Sequence, residues 1–298
     1  MAKRTKRKVG FLNSATSTEL AVPVAAFLRG MKQAGLEKKD VEVTYKFAKH
    51  RLGDLPDLAK RLVKADVEVL AATGGIASAE AAVAAVQAAN MPIRIVYISG
   101  DDPAANRMLA SSGHTTGVIT ATTEHLPERL ERARELLGSN KQIVILVRPN
   151  TKVGNLELSE LKKLDKSFST VAADSDDQLE ARFREAKNKG QALLVSSDPF
   201  FTSRRKKIVR LAKENKVPAI YAWREYVDAG GLMSFGSNLS NAYRQAGVYV
   251  GQILGDASYQ PAALKQSNYE LAINVKAAAA LDIKVSRELL ARADYVLD

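Results

Sequence analysis

The chain has 298 residues, of which 46% are hydrophobic and 26% charged, so its length suits one large domain or two of medium size. It holds 44 Lys and Arg against 33 Asp and Glu, which gives a formal net charge of +11. With no Cys and three His, the sequence excludes disulfides, thiolate metal sites and a thiol nucleophile. We therefore expect neither a metal nor a cofactor.

The N-terminus is basic from Lys3 to Lys8 and then enters an apolar run at 9–12. That run is too short for the core of a secretory signal, and no stretch is apolar for long enough to cross a membrane. We expect either a cytoplasmic protein or an exported one whose signal is absent from the sequence as given. No helix-turn-helix and no interleaved aromatic residues accompany the basic segment, so nucleic acid is not an expected partner.

Short apolar runs alternate with helical patterns along the whole chain, which is typical of a parallel α/β fold. The predicted strands cover 9–12, 41–47, 67–72, 93–98, 143–147, 192–195, 219–222, 232–235 and 269–275. The predicted helices run from Leu20 to the stop at Gly35 and then cover 55–65, 78–90, 126–137, 155–165, 178–189, 203–216 and 239–253, before a final Ala-rich helical region.

One unit of strand, small polar loop, helix, X-Pro entry and strand occurs twice, at 67–98 and at 191–222. The repetition predicts two lobes, each a doubly wound parallel sheet. We predict that the N-terminal lobe holds 1–119 and 238–267, and the C-terminal lobe 120–237 and 268–298. In this division the chain crosses between the lobes more than once, which predicts a hinge.

Ligands bind at the carboxyl ends of parallel strands, because loops and helix N-termini present unpaired N–H groups there. The residues at these ends suit a small zwitterion or organic anion. The candidate ligand-binding residues are Asn13, Ser14, Thr16, Thr73, Gly74, Gly75, Asp102, Asn150, Ser197, Asp198, Phe200, Trp223 and Arg224.

Each candidate also has a structural alternative. The Thr73-Gly74-Gly75 loop contacts a ligand or is only a tight turn with Ser78 as the helix N-cap. Asp198 pairs with a ligand ammonium group or caps a helix that begins near Ser203. Trp223 stacks on a flat ligand or packs in the protein.

Several catalytic and nucleotide-binding patterns are missing from the sequence. It has no G-x-S-x-G elbow, no metal spacing of its His residues, no Walker loop and no G-x-G-x-x-G. We therefore expect no catalytic residues and no enzymatic activity.

Six segments carry a resemblance to a known family. They are Ala72-Thr-Gly-Gly75, Gly100-Asp-Asp-Pro103, Ser197-Asp-Pro-Phe-Phe201 with Arg204-Arg205, Pro218-Ala-Ile-Tyr-Ala-Trp-Arg-Glu225, Gly230-Gly-Leu-Met-Ser-Phe-Gly236 and Ala242-Tyr-Arg-Gln-Ala-Gly247. Together they resemble the ABC-transporter substrate-binding proteins of the tryptophan/tyrosine-binding type, from about Val9 to Asp298.

The resemblance implies the type I periplasmic-binding-protein fold, with two Rossmann-like lobes joined by three crossing segments. It implies capture of an amino acid, aromatic ones included, or of a related carboxylate, which a monomer in the periplasm delivers to the membrane subunits of an ABC permease. The Thr73-Gly74 loop would hold an acidic group and Asp198 an amino group, while Trp223 and Arg224 would line the second lobe. The alternative from another class is a cytoplasmic small-molecule sensor on the same fold.

Overall fold

The computed structural model describes residues 6–100, 102–164, 168–266 and 269–298. Residues 3–5 of the basic segment and Asp101, which the sequence singles out as a neighbour of Asp102, lie outside these ranges. No helix in the described ranges is both long and apolar enough to cross a membrane. The described residues fold into two compact units, and the chain passes from one to the other after Thr120, Asn238 and Gln266.

Strands and helices alternate through most of the chain. The strands are β1 (Arg7–Asn13), β2 (Val41–Phe47), β3 (Val69–Ala72), β4 (Arg94–Gly100), β5 (Thr115–Thr120), β6 (Ile143–Val147), β7 (Ser169–Ala172), β8 (Ala192–Val195), β9 (Ala219–Tyr221), β10 (Met233–Ser237), β11 (Leu264–Lys265), β12 (Tyr269–Asn274) and β13 (Tyr295–Leu297). The helices are α1 (Ala21–Gln33), α2 (Leu55–Lys64), α3 (Ile76–Ala89), α4 (Pro103–Ser111), α5 (Leu126–Leu137), α6 (Lys152–Leu164), α7 (Asp176–Asn188), α8 (Pro199–Ser203), α9 (Arg205–Asn215), α10 (Arg224–Asp228), α11 (Leu239–Gly255), α12 (Val275–Ala280) and α13 (Arg287–Ala291).

The first unit contains residues 1–120 and 239–266. Its sheet has the strand order β11-β5-β4-β3-β1-β2, and the pairs between these strands are parallel. Phe11 packs on one face with α1 and α11, and Leu12 packs on the other with α2 and α3. Because both faces are covered, the central strand β3 is apolar and buried at every position, as in other parallel sheets.

The second unit contains residues 121–238 and 267–298. Its sheet has the order β13-β12-β10-β9-β8-β6-β7, in which β12 runs antiparallel to β10 and the other pairs are parallel. One face of this sheet packs on α5 and α6 through buried Leu, Ile and Val side chains, among them Leu130, Ile145 and Leu161.

The predicted fold class, α/β with two doubly wound parallel sheets, is confirmed by these two sheets. The edge strands β7 and β13 were not predicted, because β7 begins with polar residues, β13 is only three residues long, and the residues of both are exposed or partly exposed. The helix α4, which begins at Pro103, was not predicted either. The helix predicted at 203–216 is α9, and the short helix α8 that precedes it from Pro199 was not predicted. Both α4 and α8 start with an Asp N-cap followed by Pro, which is a strong start signal.

Glycines allow α1 and α11 to pack with their backbones almost in contact. A Cβ atom placed on Gly30 would lie 1.9 Å from the carbonyl oxygen of Arg244, and one on Gly247 would lie 2.0 Å from that of Phe27. Both distances are far below van der Waals contact, so no larger residue fits without separating the helices. This contact fixes α11, and with it Tyr243, against the sheet of the first unit.

Candidate functional site

Each sheet reverses its winding direction at one point, and several of the predicted residues lie there. In the first unit β1 is flanked by β2 and β3, and in the second β6 is flanked by β7 and β8. The carboxyl ends of β1 and β3, and of β6 and β8, therefore form the topological switch points where open α/β sheets bind ligands. Asn13 and Thr73 lie at the first switch point, and Asn150 and Asp198 at the second.

Three side chains are linked by hydrogen bonds at the switch point of the first unit. The Asn13 Nδ2 atom donates to Thr73 Oγ1 at 3.0 Å and to the Tyr243 hydroxyl at 2.9 Å. The Tyr243 hydroxyl in turn donates to the Thr73 carbonyl at 3.0 Å, and Asn13 Oδ1 accepts from the N–H of Ala15 at 2.8 Å. All three linked side chains are buried, so the ends of β1 and β3 are held rigidly.

The loop after β3 approaches the loop after β1 very closely. A Cβ atom on Gly74 would lie 2.4 Å from the backbone nitrogen of Ser14, whose hydroxyl donates to the Gly74 carbonyl at 3.1 Å. Gly75 has a φ of 81° and is itself the N-cap of α3, so Ser78 is not the cap but lies in the first turn. The Ser78 hydroxyl is fully buried and has no hydrogen-bond partner among the described residues.

Thr16 and Asp102 serve local structure in the first unit. Thr16 donates from its backbone N–H and its hydroxyl to Glu19 Oε2, at 2.9 and 2.7 Å, and this oxygen is also 2.9 Å from His50 Nε2. Asp102 Oδ1 accepts from the N–H groups of Ala104 and Ala105, at 2.9 and 3.1 Å, and so caps α4. Their predicted role in ligand binding stays a prediction.

Asp198 is surrounded by donors at the switch point of the second unit. Its side chain is 3% exposed. Oδ1 accepts from the N–H of Phe200 and Oδ2 from the hydroxyl of Thr151, both at 2.8 Å. The Arg148 Nη1 atom lies 3.8 Å from Oδ1. Asp198 is thus the N-cap of α8, the alternative role that the sequence allowed, and it also links β6 to β8.

A second buried carboxyl group lies below the same loop. Glu157 on α6 is 1% exposed, and its Oε1 atom accepts from the N–H and the hydroxyl of Ser197, at 2.9 and 2.8 Å. Burial raises the pKa of Glu157, although hydrogen bonds from Ser196 and Ser197 and the charge of Arg129 act in the opposite direction. Ser197 is therefore engaged with Glu157 inside the protein.

Two arginines lie against the ring of Phe200. The guanidinium carbon of Arg148 is 5.0 Å from the ring centre and that of Arg204 is 3.9 Å from it. Arg204 also binds Asp176 at 2.6 Å, and this bond is the main cause of the lowered pKa of Asp176. Asn150 is exposed and has a φ of 58°, in the loop between β6 and α6.

Trp223 and Arg224 lie at the end of β9, which neighbours β8 in the sheet. Trp223 is 6% exposed, and its indole N–H is buried with no acceptor among the described residues. Arg224 donates to Glu270 at 2.7 Å and lies over the ring of Tyr295, with 5.0 Å between the guanidinium carbon and the ring centre. Arg224 is thus tied to the neighbouring strands β12 and β13.

Several residues at the two switch points were not predicted from the sequence. Tyr243 belongs to the apolar stripe of α11 and was read only as packing, although a hydroxyl on such a stripe needs a partner when it is buried. Glu157 and Thr151 gave no signal, because their partners Ser197 and Asp198 are 40 and 47 residues away along the chain. In the described parts of the chain, no group of His, Cys, Asp and Glu is arranged to hold a metal ion.

The fold is that of known solute-binding proteins. A conserved domain protein from Vibrio cholerae matches with a TM-score of 0.81 and 24% identity, covering 98% of this chain and 100% of that one. An ABC domain in complex with L-Trp from Streptococcus pneumoniae matches with a TM-score of 0.83 and 19% identity, over 98% and 100% of the two chains. An ABC transporter solute-binding protein from R. palustris in complex with 4-hydroxybenzoate matches with a TM-score of 0.60 and 15% identity, over 84% and 79%. These likenesses define the type I periplasmic-binding-protein fold.

The family follows from the sequence itself. The model of the family described as ABC transporter substrate binding protein matches residues 15–297. The chain therefore belongs to this family, as its motifs predicted. Comparison with curated protein sequences finds no significant match.

Proposed function

We propose that this protein captures a small organic solute and delivers it to the membrane subunits of an ABC permease. The observation that carries the proposal is the pair of switch points, each furnished with polar side chains held in place by hydrogen bonds. Asn13 and Thr73 furnish the first, and Thr151 and Asp198 the second. Membership of the substrate-binding family supports the same role.

The proposed solute is an amino acid, aromatic ones included, or a related carboxylate. The buried indole N–H of Trp223 offers a donor without an acceptor in the described residues, and Phe200 adds an aromatic ring. Among proteins of this fold, the S. pneumoniae domain is in complex with L-Trp and the R. palustris protein with 4-hydroxybenzoate. Both ligands combine an aromatic ring with a carboxylate.

We propose further that the solute contacts residues of both units and that the units close on it. In such proteins the observed affinity depends on the free-energy difference between the open and closed states, as well as on the contacts themselves. The proposal includes a periplasmic location and a monomeric state, as is usual for proteins that pass a solute to a permease.

The test is a thermal-shift screen of the purified chain, followed by calorimetric titration of each solute that binds. The panel contains L-tryptophan, L-tyrosine, L-phenylalanine, 4-hydroxybenzoate and myo-inositol. A solute at a hundred times its Kd stabilises the folded protein by about 2.7 kcal/mol, which raises Tm by several degrees. If none of the four carboxylate-bearing members raises Tm or gives a heat of binding, the proposed solute class is contradicted, whatever myo-inositol does.

A further inference from the structure

We propose that Arg148 binds the carboxylate of the solute, and that Asp198 orients Arg148 instead of binding a ligand ammonium group. The inference rests on the proposed function and names the group that the second unit recognises. The family resemblance implies instead that Asp198 holds an amino group, so the inference changes the recognised ligand group from a cation to an anion.

The surroundings of Asp198 leave it little capacity for a solute. Its side chain is only 3% exposed, so a ligand ammonium group would find almost no carboxylate surface. Each oxygen already accepts one hydrogen bond at 2.8 Å, Oδ1 from the Phe200 N–H and Oδ2 from the Thr151 hydroxyl. A carboxylate that is capped and buried in this way acts inside the protein.

Arg148 is in the opposite situation. Its side chain is 32% exposed, and its Nη1 atom is 3.8 Å from Asp198 Oδ1, which is beyond hydrogen-bond distance. The guanidinium of Arg148 makes no hydrogen bond to any residue that the structure describes, although it carries five N–H donors. The donors are therefore available to a molecule from solvent.

The guanidinium also lies over an aromatic ring and near a buried carboxylate. Its central carbon is 5.0 Å from the centre of the Phe200 ring, and a cation–π contact of this kind attracts the guanidinium without using its N–H donors in hydrogen bonds. Asp198 fixes the same group by its charge. A planar fork of donors matches a carboxylate, which accepts two parallel hydrogen bonds from it.

The local charge favours an anion. The helix α6, 13 residues long, begins at Lys152, so its positive end lies next to the loop that carries Arg148. Asp198 is the one carboxylate paired with Arg148 in the described residues. Its single negative charge faces both the positive guanidinium and the positive end of α6. Arg204, the other arginine on Phe200, already has its own partner in Asp176.

The experiment measures by calorimetry the affinities for carboxylic acids and for the matching amides, which lack the carboxylate charge. The proteins are the wild type, Arg148→Met and Arg148→Lys. The probe pairs are 4-hydroxybenzoate with 4-hydroxybenzamide, and L-tryptophan with L-tryptophanamide, and myo-inositol serves as a neutral solute. Arg210→Met is the matched control, because Arg210 forms an exposed ion pair with Glu214 on α9. Circular dichroism verifies that each variant is folded.

We expect at least one acid to bind the wild-type protein about tenfold or more tightly than its amide. Arg148→Met should lower the affinity for that acid about tenfold to a hundredfold and abolish the preference for the acid over the amide. The affinity of Arg148→Lys for the acid should lie between those of Arg148→Met and the wild type. The affinity of Arg210→Met should equal that of the wild type. Equal binding of acid and amide by the wild-type protein, or unchanged binding of the acid by Arg148→Met, would overturn the inference. Binding of myo-inositol alone would overturn it too and leave solute binding intact, whereas a protein that binds no probe would contradict the proposed function as well.

Discussion

Glu157 Oε1 accepts hydrogen bonds from both the backbone N–H and the hydroxyl of Ser197, at 2.9 and 2.8 Å. These two hydrogen bonds tie the loop after β8 to α6, and Glu157 is buried. Because burial disfavours the charged form, it raises the pKa of Glu157 above its ordinary value of 4.5. The loop that carries Asp198 is thus held by an acid that is costly to ionise.

The first prediction concerns the pH dependence of stability. In the unfolded chain Glu157 loses its proton near pH 4.5, while in the folded chain it keeps the proton to a higher pH. The folded state then binds more protons, so the contribution of Glu157 to the free energy of unfolding falls as pH rises through this window. Glu157→Gln cannot ionise, and its stability relative to the wild type should rise as the pH increases above about 4.5. Urea unfolding at several pH values measures this difference, and a constant difference would contradict the account.

The second prediction concerns the contact between α1 and α11. A Cβ atom on Gly247 would lie 2.0 Å from the carbonyl oxygen of Phe27, so Gly247→Ala must separate the two helices and should cost about 1–3 kcal/mol of stability. Gly255→Ala is the matched control at the end of the same helix, because its Cβ would meet no atom within 4 Å. Denaturant unfolding compares them, and equal stability of the two variants would be inconsistent with the observed packing.

The third prediction concerns the Tyr243 hydroxyl, which accepts from Asn13 and donates to the Thr73 carbonyl. Tyr243→Phe leaves both buried partners without this bond and should destabilise the protein by about 1–3 kcal/mol. Tyr249→Phe is the control on the same helix, since its hydroxyl donates to the Ala262 carbonyl at 3.4 Å, a longer and weaker hydrogen bond. Thermal unfolding of both variants tests the difference, and a Tyr243→Phe protein as stable as the control would contradict it.

The fourth prediction separates the two roles of Asp198. If Asp198 orients Arg148, Asp198→Asn should weaken L-tryptophan and the amine-free indole-3-propionate by similar factors. A direct bond from Asp198 to the ligand amine would instead weaken L-tryptophan alone, by about 2–5 kcal/mol. Calorimetric titration of the two ligands gives both affinities, and a loss confined to L-tryptophan would refute the orienting role.

The fold could be predicted from the sequence because most of the buried parallel strands are continuous apolar segments. Strand β6, Ile143–Val147, is apolar at every position and buried throughout. The edge strand β7, Ser169–Ala172, has exposed and partly exposed residues, so its pattern resembles a loop. Helices α4 and α8 carry an Asp-Pro start signal, but their short length conceals any periodicity.

The candidate site could be predicted only in part. The rule that ligands bind at strand ends places Asn13, Thr73 and Asp198 at the two switch points without any structure. The bonds that decide which of these groups face a solute come from residues distant in sequence, such as Thr151 for Asp198. The exposure and the hydrogen-bond partners of Asp198 and Arg148 indicate which of the two binds the solute. Both properties depend on tertiary packing.

The most direct test of solute binding uses Trp223, the single tryptophan of the chain. Its fluorescence reports on the end of β9, where it is 6% exposed. Titration with L-phenylalanine, benzoate and other non-indole carboxylates should change the intensity or wavelength of this emission in a saturable way for at least one solute, with a Kd that calorimetry reproduces. Emission that is unchanged by every solute, together with no calorimetric heat, would contradict the claim that these strand ends bind a small carboxylate.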